Sequence, residues 1–404
     1  MHLFLADPDS LPFLADELRR SAPESTQKEI AGIGIVSDAK LEGLHLAFAR
    51  QTLPDVIETS AVSINAWADR IIDAVVGHFP DDQPWRLHLW PQYGEGKAGM
   101  NRCELIRASL IERLKKRRRH LLRSLAKDVP SPDLSPKQTA GDNKALDGER
   151  DRSSQIAGPS KHAQHHSSPR RDHAEHSRLH FGERSGEGPP NIIAPFTSET
   201  SLVQCFLTSP DSGWLSTSLA PQAYVLRDLI SSFPRGEVPV AEDKSAPSRA
   251  FTKLVESEQR LGQFIEHGQT CVDLGASPGS WSYVAIQRGA HVIAVDRSEL
   301  RGDLMCSRRL RFETADAFRY KPPQTVDWLV CDVIAAPQRS IDLLLEWLRE
   351  QRMRNFIVTI KFKGHDEYPL LEKLKREAPP LCAEFRLKRL TANKNEVCAF
   401  GVAK

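Results

Sequence analysis

The segment from Cys271 to Asp296, CVDLGASPGSWSYVAIQRGAHVIAVD, constrains the fold more than any other part of the chain. It reads as an apolar strand, a turn of small residues, a helix, and a second apolar strand closed by an acid. Strand-helix-strand units of this kind build a parallel sheet. The pattern continues downstream, with strands expected at Cys271 to Leu274, His291 to Val295, Arg311 to Thr314, Trp328 to Cys331, Phe356 to Ile360, Glu384 to Leu390 and Val397 to Val402. Helices are expected around Phe251 to Glu266, Ser280 to Arg288, Ile341 to Arg352 and Pro369 to Glu377. The alternation predicts a parallel αβα sandwich, and the short Ala392 to Asn395 turn between the last two strands predicts a reversed final strand.

A sheet of this type binds its ligand beyond the carboxyl ends of its strands. Gly275, Ser277 and Gly279 let the backbone turn tightly and approach the ligand there. Asp296 falls about 20 residues after the first glycine, the spacing at which an acid accepts from ribose hydroxyls. The pattern is D-x-G-x-x-x-G and not the dinucleotide G-x-G-x-x-G. Fewer glycines suit a nucleoside cofactor without a pyrophosphate, of which S-adenosylmethionine is the commonest. Taken alone, the glycines are equally compatible with an ordinary turn between strand and helix.

Further motifs separate these readings. Ser248-Arg249-Ala250-Phe251-Thr252-Lys253-Leu254, Asp273-Leu274-Gly275-Ala276-Ser277-Pro278-Gly279, Cys331-Asp332, Lys361 and Glu396 follow one another along the chain. In kind and order they resemble the S-R-x-x-x-K-L, D-L-G-x-x-P-G, D, K and E motifs of the FtsJ/RrmJ-type ribosomal RNA ribose 2′-O-methyltransferases, and within that family its RlmM-like branch. The resemblance covers residues 245–404 and implies a Rossmann-like class I methyltransferase domain. It also implies a catalytic tetrad of Lys253, Asp332, Lys361 and Glu396, and a cytidine ribose of large-subunit (23S) ribosomal RNA as substrate. S-adenosyl-L-methionine is the implied cofactor, with Asp273, Gly275, Ser277, Pro278, Gly279, Ser280, Trp281, Asp296, Asp316 and Asp332 as its candidate binding residues. Two departures stand out. Ser280 replaces the second glycine usual after the proline and can narrow the turn, and Ser277 stands where the pattern of the resembled branch has cysteine.

The chemistry of these residues can be read without the family. Asp332 and Lys361 follow apolar runs, so they gather at strand ends where the crevice opens. A ribose hydroxyl is a poor nucleophile and must be placed in line with the methyl carbon and relieved of its proton. Lysine is ordinarily protonated, so a base role for Lys361 requires burial or a neighbouring cation, which Lys253 can supply. Asp332 and Glu396 would then orient the two amines and the ribose. No metal is required, because a sulfonium methyl is already activated. The bland reading makes Lys361 a solvated residue after a strand, with Lys363 as its register competitor. In that reading Glu396 is a turn carboxylate, Asp316 a helix cap and Trp281 a core residue.

Other methyl-transfer chemistries fit poorly. Amino-group methylation uses a D/N-P-P-Y/F clamp on the base, and the corresponding stretch is Asp332-Val333-Ile334-Ala335-Ala336-Pro337. Cytosine C5 methylation needs a thiolate, but strand alternation turns Cys331 to the face opposite Asp332 and into the core.

A chain of 404 residues, 40% hydrophobic, can bury more than one core, so two or three domains are expected. The 7 cysteines are scattered without CxxC spacing, which fits a reducing cytoplasm and neither a disulfide framework nor a zinc site. Asp7, Pro8 and Asp9 interrupt the first apolar run, so the N-terminus reads as a strand and helix and not as a membrane span or leader. A cytoplasmic location is therefore expected.

The net charge of +2 is small, so nucleic-acid contact must come from a local patch. Arg102 to Lys127 supplies one. Leu105, Ile106, Leu110, Ile111, Leu114, Leu121, Leu122 and Leu125 recur at helical spacing, and Lys115, Lys116, Arg117, Arg118 and Arg119 crowd the later half. A solvated helix face is the bland reading and a phosphate-binding face the functional one. Phe48-Ala49-Arg50-Gln51, Arg102 to Arg107, and Leu202 to Leu207 followed by Gly213-Trp214-Leu215 resemble the ferredoxin-like and THUMP-type RNA-binding region of the same branch.

Residues 1–127 are thus expected to form the first part of an N-terminal α+β RNA-binding region, completed by residues 191–240. Residues 128–190 read as a disordered insertion rich in polar residues, including His162, His165, His166, His173, His176 and His180. Those histidines fit a flexible linker better than a metal site. Two further functions stay open at this point, a catalytically silent RNA-binding or ribosome-assembly protein and a small-molecule methyltransferase.

Overall fold

The structure is a computed structural model and describes residues 1–30, 32–79, 83–93, 97–125, 200–218 and 228–404. All of these belong to one compact unit. The expected insertion at 128–190, its histidines and Lys127 lie outside the described residues.

The chain begins with a small antiparallel sheet of β1 (His2–Leu5), β2 (Gln27–Ile30), β3 (Gly34–Ser37) and β4 (Gln51–Leu53) in the order β2-β3-β1-β4. Helix α1 (Leu11–Ser21) packs beside it through Leu11, Leu14 and Leu18. A second sheet follows from β5 (Ile57–Ser60), β6 (Trp85–Pro91), β7 (Ser201–Leu207) and β8 (Ser212–Ser218), ordered β5-β8-β7-β6. β6 and β7 lie on opposite sides of residues 126–199 in the sequence and pair in parallel, from Trp85↔Ser201 to Pro91↔Leu207. Helices α2 (Ile64–His78) and α3 (Ala98–Arg117) cover this sheet, burying Trp67, Ile71, Val75, Ile106, Leu110 and Leu114 against Leu87, Val203 and Cys205.

One expectation needs correction here. The basic segment is not one helix from Arg102, because α3 ends at Arg117 and Arg118 takes non-helical angles (φ -145, ψ 57) before the short α4 (Arg119–Ser124). In an unbroken helix Lys115 would stack on Arg118 and Arg119, and Lys116 on Arg119, as like charges, while the break turns Leu121 into the core and brings its carbonyl to the Trp85 indole N–H at 2.9 Å. Leu105 also departs from the apolar stripe and is exposed.

The C-terminal half is a seven-stranded mixed sheet, ordered β11-β10-β9-β12-β13-β15-β14. Its strands are β9 (Thr270–Leu274), β10 (His291–Asp296), β11 (Leu310–Thr314), β12 (Val326–Cys331), β13 (Met353–Lys361), β14 (Cys382–Lys388) and β15 (Glu396–Ala403). β15 pairs antiparallel with both β13 and β14, so the last strand is the reversed one. Helices α5 (Phe251–Leu261) and α6 (Ser280–Gln287) pack on one face with Cys271, Val292, Trp328, Val330 and Phe400. The short α7 (Gly302–Met305) follows β10. Helix α8 (Pro337–Arg349) packs on the other face with Val272, Leu329, Phe356 and Val358, and α9 (Leu371–Glu377) adjoins it. A mixed sheet with helices on both faces agrees with the Rossmann-like α/β architecture expected for this half of the chain. Helix α5 stops five residues earlier than its apolar spacing predicts, because Gly262 adopts the left-handed conformation (φ 71) of a C-terminal cap.

The first sheet's helix is joined to this domain by buried polar contacts. Glu17 on α1 accepts from the backbone N–H of Ala47 (2.7 Å) and Phe48 (3.1 Å) and pairs with Lys375 of α9 at 2.5 Å. Lys388 at the end of β14 donates to the carbonyls of Leu46 (2.7 Å) and Ala49 (3.2 Å). Glu17→Ala strands two buried donors and leaves the Lys375 ammonium with Glu372 alone, so it is expected to lower the urea-unfolding free energy of the whole chain by about 3 kcal/mol.

Candidate active site

The strand order reverses about β9, whose neighbours are β10 and β12, and the turn after β9 therefore opens into the crevice where such sheets take ligands. Gly275 has φ 75, and a Cβ there would lie 2.8 Å from the Cβ of Val333, so the turn and the segment after β12 pack backbone to side chain. Gly279 has φ 107, and its Cβ would meet Leu304 at 2.4 Å. Both positions therefore require glycine. The Ser277 N–H donates to Asp296 Oδ2 (3.0 Å), its hydroxyl to Glu299 O (3.0 Å), and the Ser298 N–H to Asp296 Oδ1 (2.9 Å). Arg301 N–H closes the turn on Pro278 O at 3.0 Å.

Ser280 is buried, and its hydroxyl meets that of Ser248 at 2.7 Å, so its extra atoms join the turn to the segment before α5. The motif carrying Ser248 was legible in the sequence, but this partnership was not. Trp281 is a core residue whose indole N–H donates to Ala250 O at 2.8 Å. Asp273 is buried beneath α6, where Oδ2 accepts from the Ser282 N–H (3.0 Å) and hydroxyl (2.7 Å). Burial is the main cause that pushes its carboxyl up to about 7. Asp316 receives the Phe318 N–H (2.9 Å) and pairs with Arg297 (3.1 Å). Asp296, Asp316 and Asp332 thus stand at or just beyond the ends of β10, β11 and β12.

Lys253, Asp332, Lys361 and Glu396 come together from four separate elements. Lys253 projects from α5 and lies 2.8 Å from Asp332 Oδ2 and 2.9 Å from Glu396 Oε1. Lys361 donates to the Asp332 carbonyl at 2.8 Å and lies 3.0 Å from Asp332 Oδ1. Lys361 and Glu396 are register partners across β13 and β15. The two lysines differ in exposure, the Lys253 side chain being 7% accessible and that of Lys361 22%. Burial works against the charge of Lys253, but Asp332 and Glu396 outweigh it and hold its ammonium above the usual lysine range. Lys363 is exposed, and its backbone N–H binds Glu367 at 2.7 Å, so Lys361 is the lysine that joins the network. Cys331 is fully buried and its thiol is pushed up to about 12 by desolvation.

Lys115 to Arg119 are all exposed. Lys115 pairs with Glu112 (2.8 Å), and Arg119 Nε donates to the Lys115 carbonyl (3.0 Å). Among the described residues, no group of three or more His, Cys, Asp or Glu side chains is placed to hold a metal, and no helix is long and apolar enough to cross a membrane.

Residues 246–362 match the FtsJ-like methyltransferase family model. Similar curated proteins carry the name Ribosomal RNA large subunit methyltransferase M. The one from Marinomonas sp. (strain MWYL1) is 36% identical over 180 residues, covering 41% of this chain and 51% of the relative. That from Thauera aminoaromatica is 31% identical over 210 residues, covering 49% and 56%, and that from Azoarcus sp. (strain BH72) 31% over 200 residues, covering 47% and 53%. The chain spans about half the length of these relatives. These matches bear out the resemblance read from the motifs.

Asp273 gives the site a pH signature. Its folded carboxyl lies above the ordinary 3.8, so the stability it contributes is fully present below that value and lost as pH rises through about 7. Glu258, also pushed up to about 7 by burial, acts in the same direction, and His88, lowered to about 3 by burial, acts in the opposite one. The difference between Asp273→Asn and the native protein isolates the Asp273 share. The variant is expected to gain more than about 1 kcal/mol relative to native between pH 4 and pH 7.5 in urea unfolding.

Proposed function

We propose that this chain is an S-adenosyl-L-methionine-dependent RNA ribose 2′-O-methyltransferase acting on large-subunit ribosomal RNA, with a cytidine as target. The observation that carries the reading is the network in which Lys253 bridges Asp332 and Glu396 while Lys361 rests on Asp332. The names of the similar proteins support the RNA class.

The residues suit the cofactor. Carboxylates accept hydrogen bonds only, and Asp296, Asp316 and Asp332 beyond the strand ends match the hydroxyls and amine of a nucleoside. Asp273, Gly275, Ser277, Pro278, Gly279 and Ser280 build the turn that would hold it, and Trp281 anchors the helix beneath. When bound, the cofactor supplies a methyl group already activated on its sulfonium.

The proton chemistry belongs to the chain. Lys253 is the fixed cation, since two carboxylates hold its ammonium. Lys361, the more exposed amine, accepts the proton of the ribose hydroxyl, and Asp332 keeps it in place through both its carboxylate and its carbonyl. Glu396 orients Lys253 and borders the position of the ribose. The N-terminal α+β part is read as a THUMP-type RNA grip, with Lys115, Lys116, Arg117, Arg118 and Arg119 meeting phosphates, and the whole as a cytoplasmic protein. The filled tetrad disfavours a catalytically silent assembly protein, and the basic face disfavours a small-molecule substrate.

Nucleoside mass spectrometry of large-subunit RNA incubated with the cofactor tests the reaction. A 2′-O-methylated cytidine is expected with the native protein and at least about 100-fold less with Lys361→Ala. A methyl group on a base would overturn the tetrad assignment. For the basic face, Lys116, Arg117 and Arg118 changed together to Gln should weaken RNA binding and flatten its salt dependence, read by fluorescence anisotropy. The logarithmic slope should fall by about 0.7 to 0.9 for each phosphate that the variant no longer neutralises. An unchanged slope would place the RNA-binding surface elsewhere.

A further inference from the structure

The strands carrying Lys361 and Glu396 are joined beyond their last regular rung. The Phe362 N–H donates to the Asn395 carbonyl at 2.9 Å, and the Asn395 side-chain amide donates to the Phe362 carbonyl at 2.9 Å. The Asn395 side-chain oxygen accepts from the Tyr368 hydroxyl at 2.5 Å. Phe362 can only accept at its carbonyl and Tyr368 has a hydroxyl to give, so this chain of bonds fixes the amide in one orientation.

Tyr368 is buried, with its ring seated among aromatic neighbours. Ring centroids of Phe13, Phe48 and Phe362 each lie 4.8 Å away, and that of His365 5.5 Å away. Phe13 belongs to α1, and Phe48 to the segment that Glu17 clips by its backbone N–H. A continuous set of contacts therefore runs from the N-terminal region through Tyr368 and Asn395 to the residues next to Lys361 and Glu396. Strand ends fray readily, and a displacement of about 1 Å at reacting groups can cost about 100-fold in rate.

We propose that Asn395 is a positioning residue for the tetrad. Tyr368 orients its amide, and Phe13 and Phe48 seat Tyr368, so the N-terminal region holds Lys361 and Glu396 in register. This rests on the methyltransferase reading above. The side-chain rung touches neither reacting group and acts through the backbone of Phe362 and Asn395.

Tyr368→Phe keeps the ring and removes only the hydroxyl, and Asn395→Asp keeps the shape and removes the amide donor. Each variant of the full chain is measured in two ways. The first is kcat and KM for large-subunit RNA, where a fall of about tenfold in kcat with KM within about twofold is expected. The second is the rate at which an amine-acylating reagent labels Lys361 relative to the exposed Lys363, read by peptide mass spectrometry, where a change of at least about threefold is expected. A purely structural role would lower the unfolding midpoint without moving either ratio. Unchanged labelling and unchanged kcat in both variants overturn the proposal. If the native protein forms no methylated nucleoside, the functional reading falls, and the labelling ratio alone decides whether the rung positions Lys361.

Discussion

Two lysine side chains share one carboxylate at the end of β12, and the placement of the rest of the site follows from that fact. The Lys253 ammonium is buried and depends on its carboxylate partners, and Asp332 would be costly to desolvate without a cation beside it. The arrangement needs three elements to end at one place. β12 must deliver Asp332, β13 Lys361, and the first turn of α5 must lie beside these strand ends so that Lys253 reaches Asp332 and Glu396. Glu396 supplies a second carboxylate to Lys253 from the reversed β15. A parallel sheet has its strand ends aligned by construction, and the antiparallel β15 contributes its first residue where its neighbours contribute their last.

The N-terminal region is also part of how the large sheet is closed off. β14 is the edge of the large sheet, and an open edge invites pairing with other chains. Here the segment around Leu46 to Ala49 covers its end, through Lys388 and through the Arg389 N–H on the Ala47 carbonyl at 2.8 Å. Lys388 is fully buried, and desolvation is the main cause that lowers its pKa, with Asp228 at 3.5 Å opposing the shift. A single apolar cluster holds Phe4, Leu14 and Phe48 together with Val358, Ile360 and Leu387.

The large sheet was largely legible in the sequence. Its strands are short apolar runs bounded by Gly, Pro or acids, as in Cys271 to Leu274 before Gly275, and such runs need no tertiary information to be seen. The four residues that meet at the strand ends, Lys253, Asp332, Lys361 and Glu396, were legible as motifs, because their types and order along the chain follow one pattern. What stayed hidden depends on contacts between distant segments. Nothing in the neighbourhood of Glu17 distinguishes it from an ordinary helix-surface acid, yet it is buried against Ala47, Phe48 and Lys375. Asn395 was legible only as the end of the turn between the last two strands, and nothing in the sequence singles out Tyr368 as its partner. The break at Arg118 was hidden because Leu114 and Leu121 keep helical spacing across it, and only the place of Trp85 beneath Leu121 shows why the chain turns.

These contacts also bear on how the two halves can be tested apart. Cutting away residues 1–240 would remove the carbonyls and the Asp228 carboxylate that satisfy Lys388, and would leave Lys375 with Glu372 as its remaining carboxylate. Breaking a buried charge pairing costs several kcal/mol, a large share of the roughly 5–15 kcal/mol that holds a domain together. Loss of turnover in such a truncation would therefore follow from the fold alone and say little about whether the N-terminal part binds a substrate. Substitutions on the exposed Lys116 to Arg118 face leave every one of those buried contacts in place, so they test the proposed RNA contact separately from the integrity of the C-terminal half, where a deletion does not.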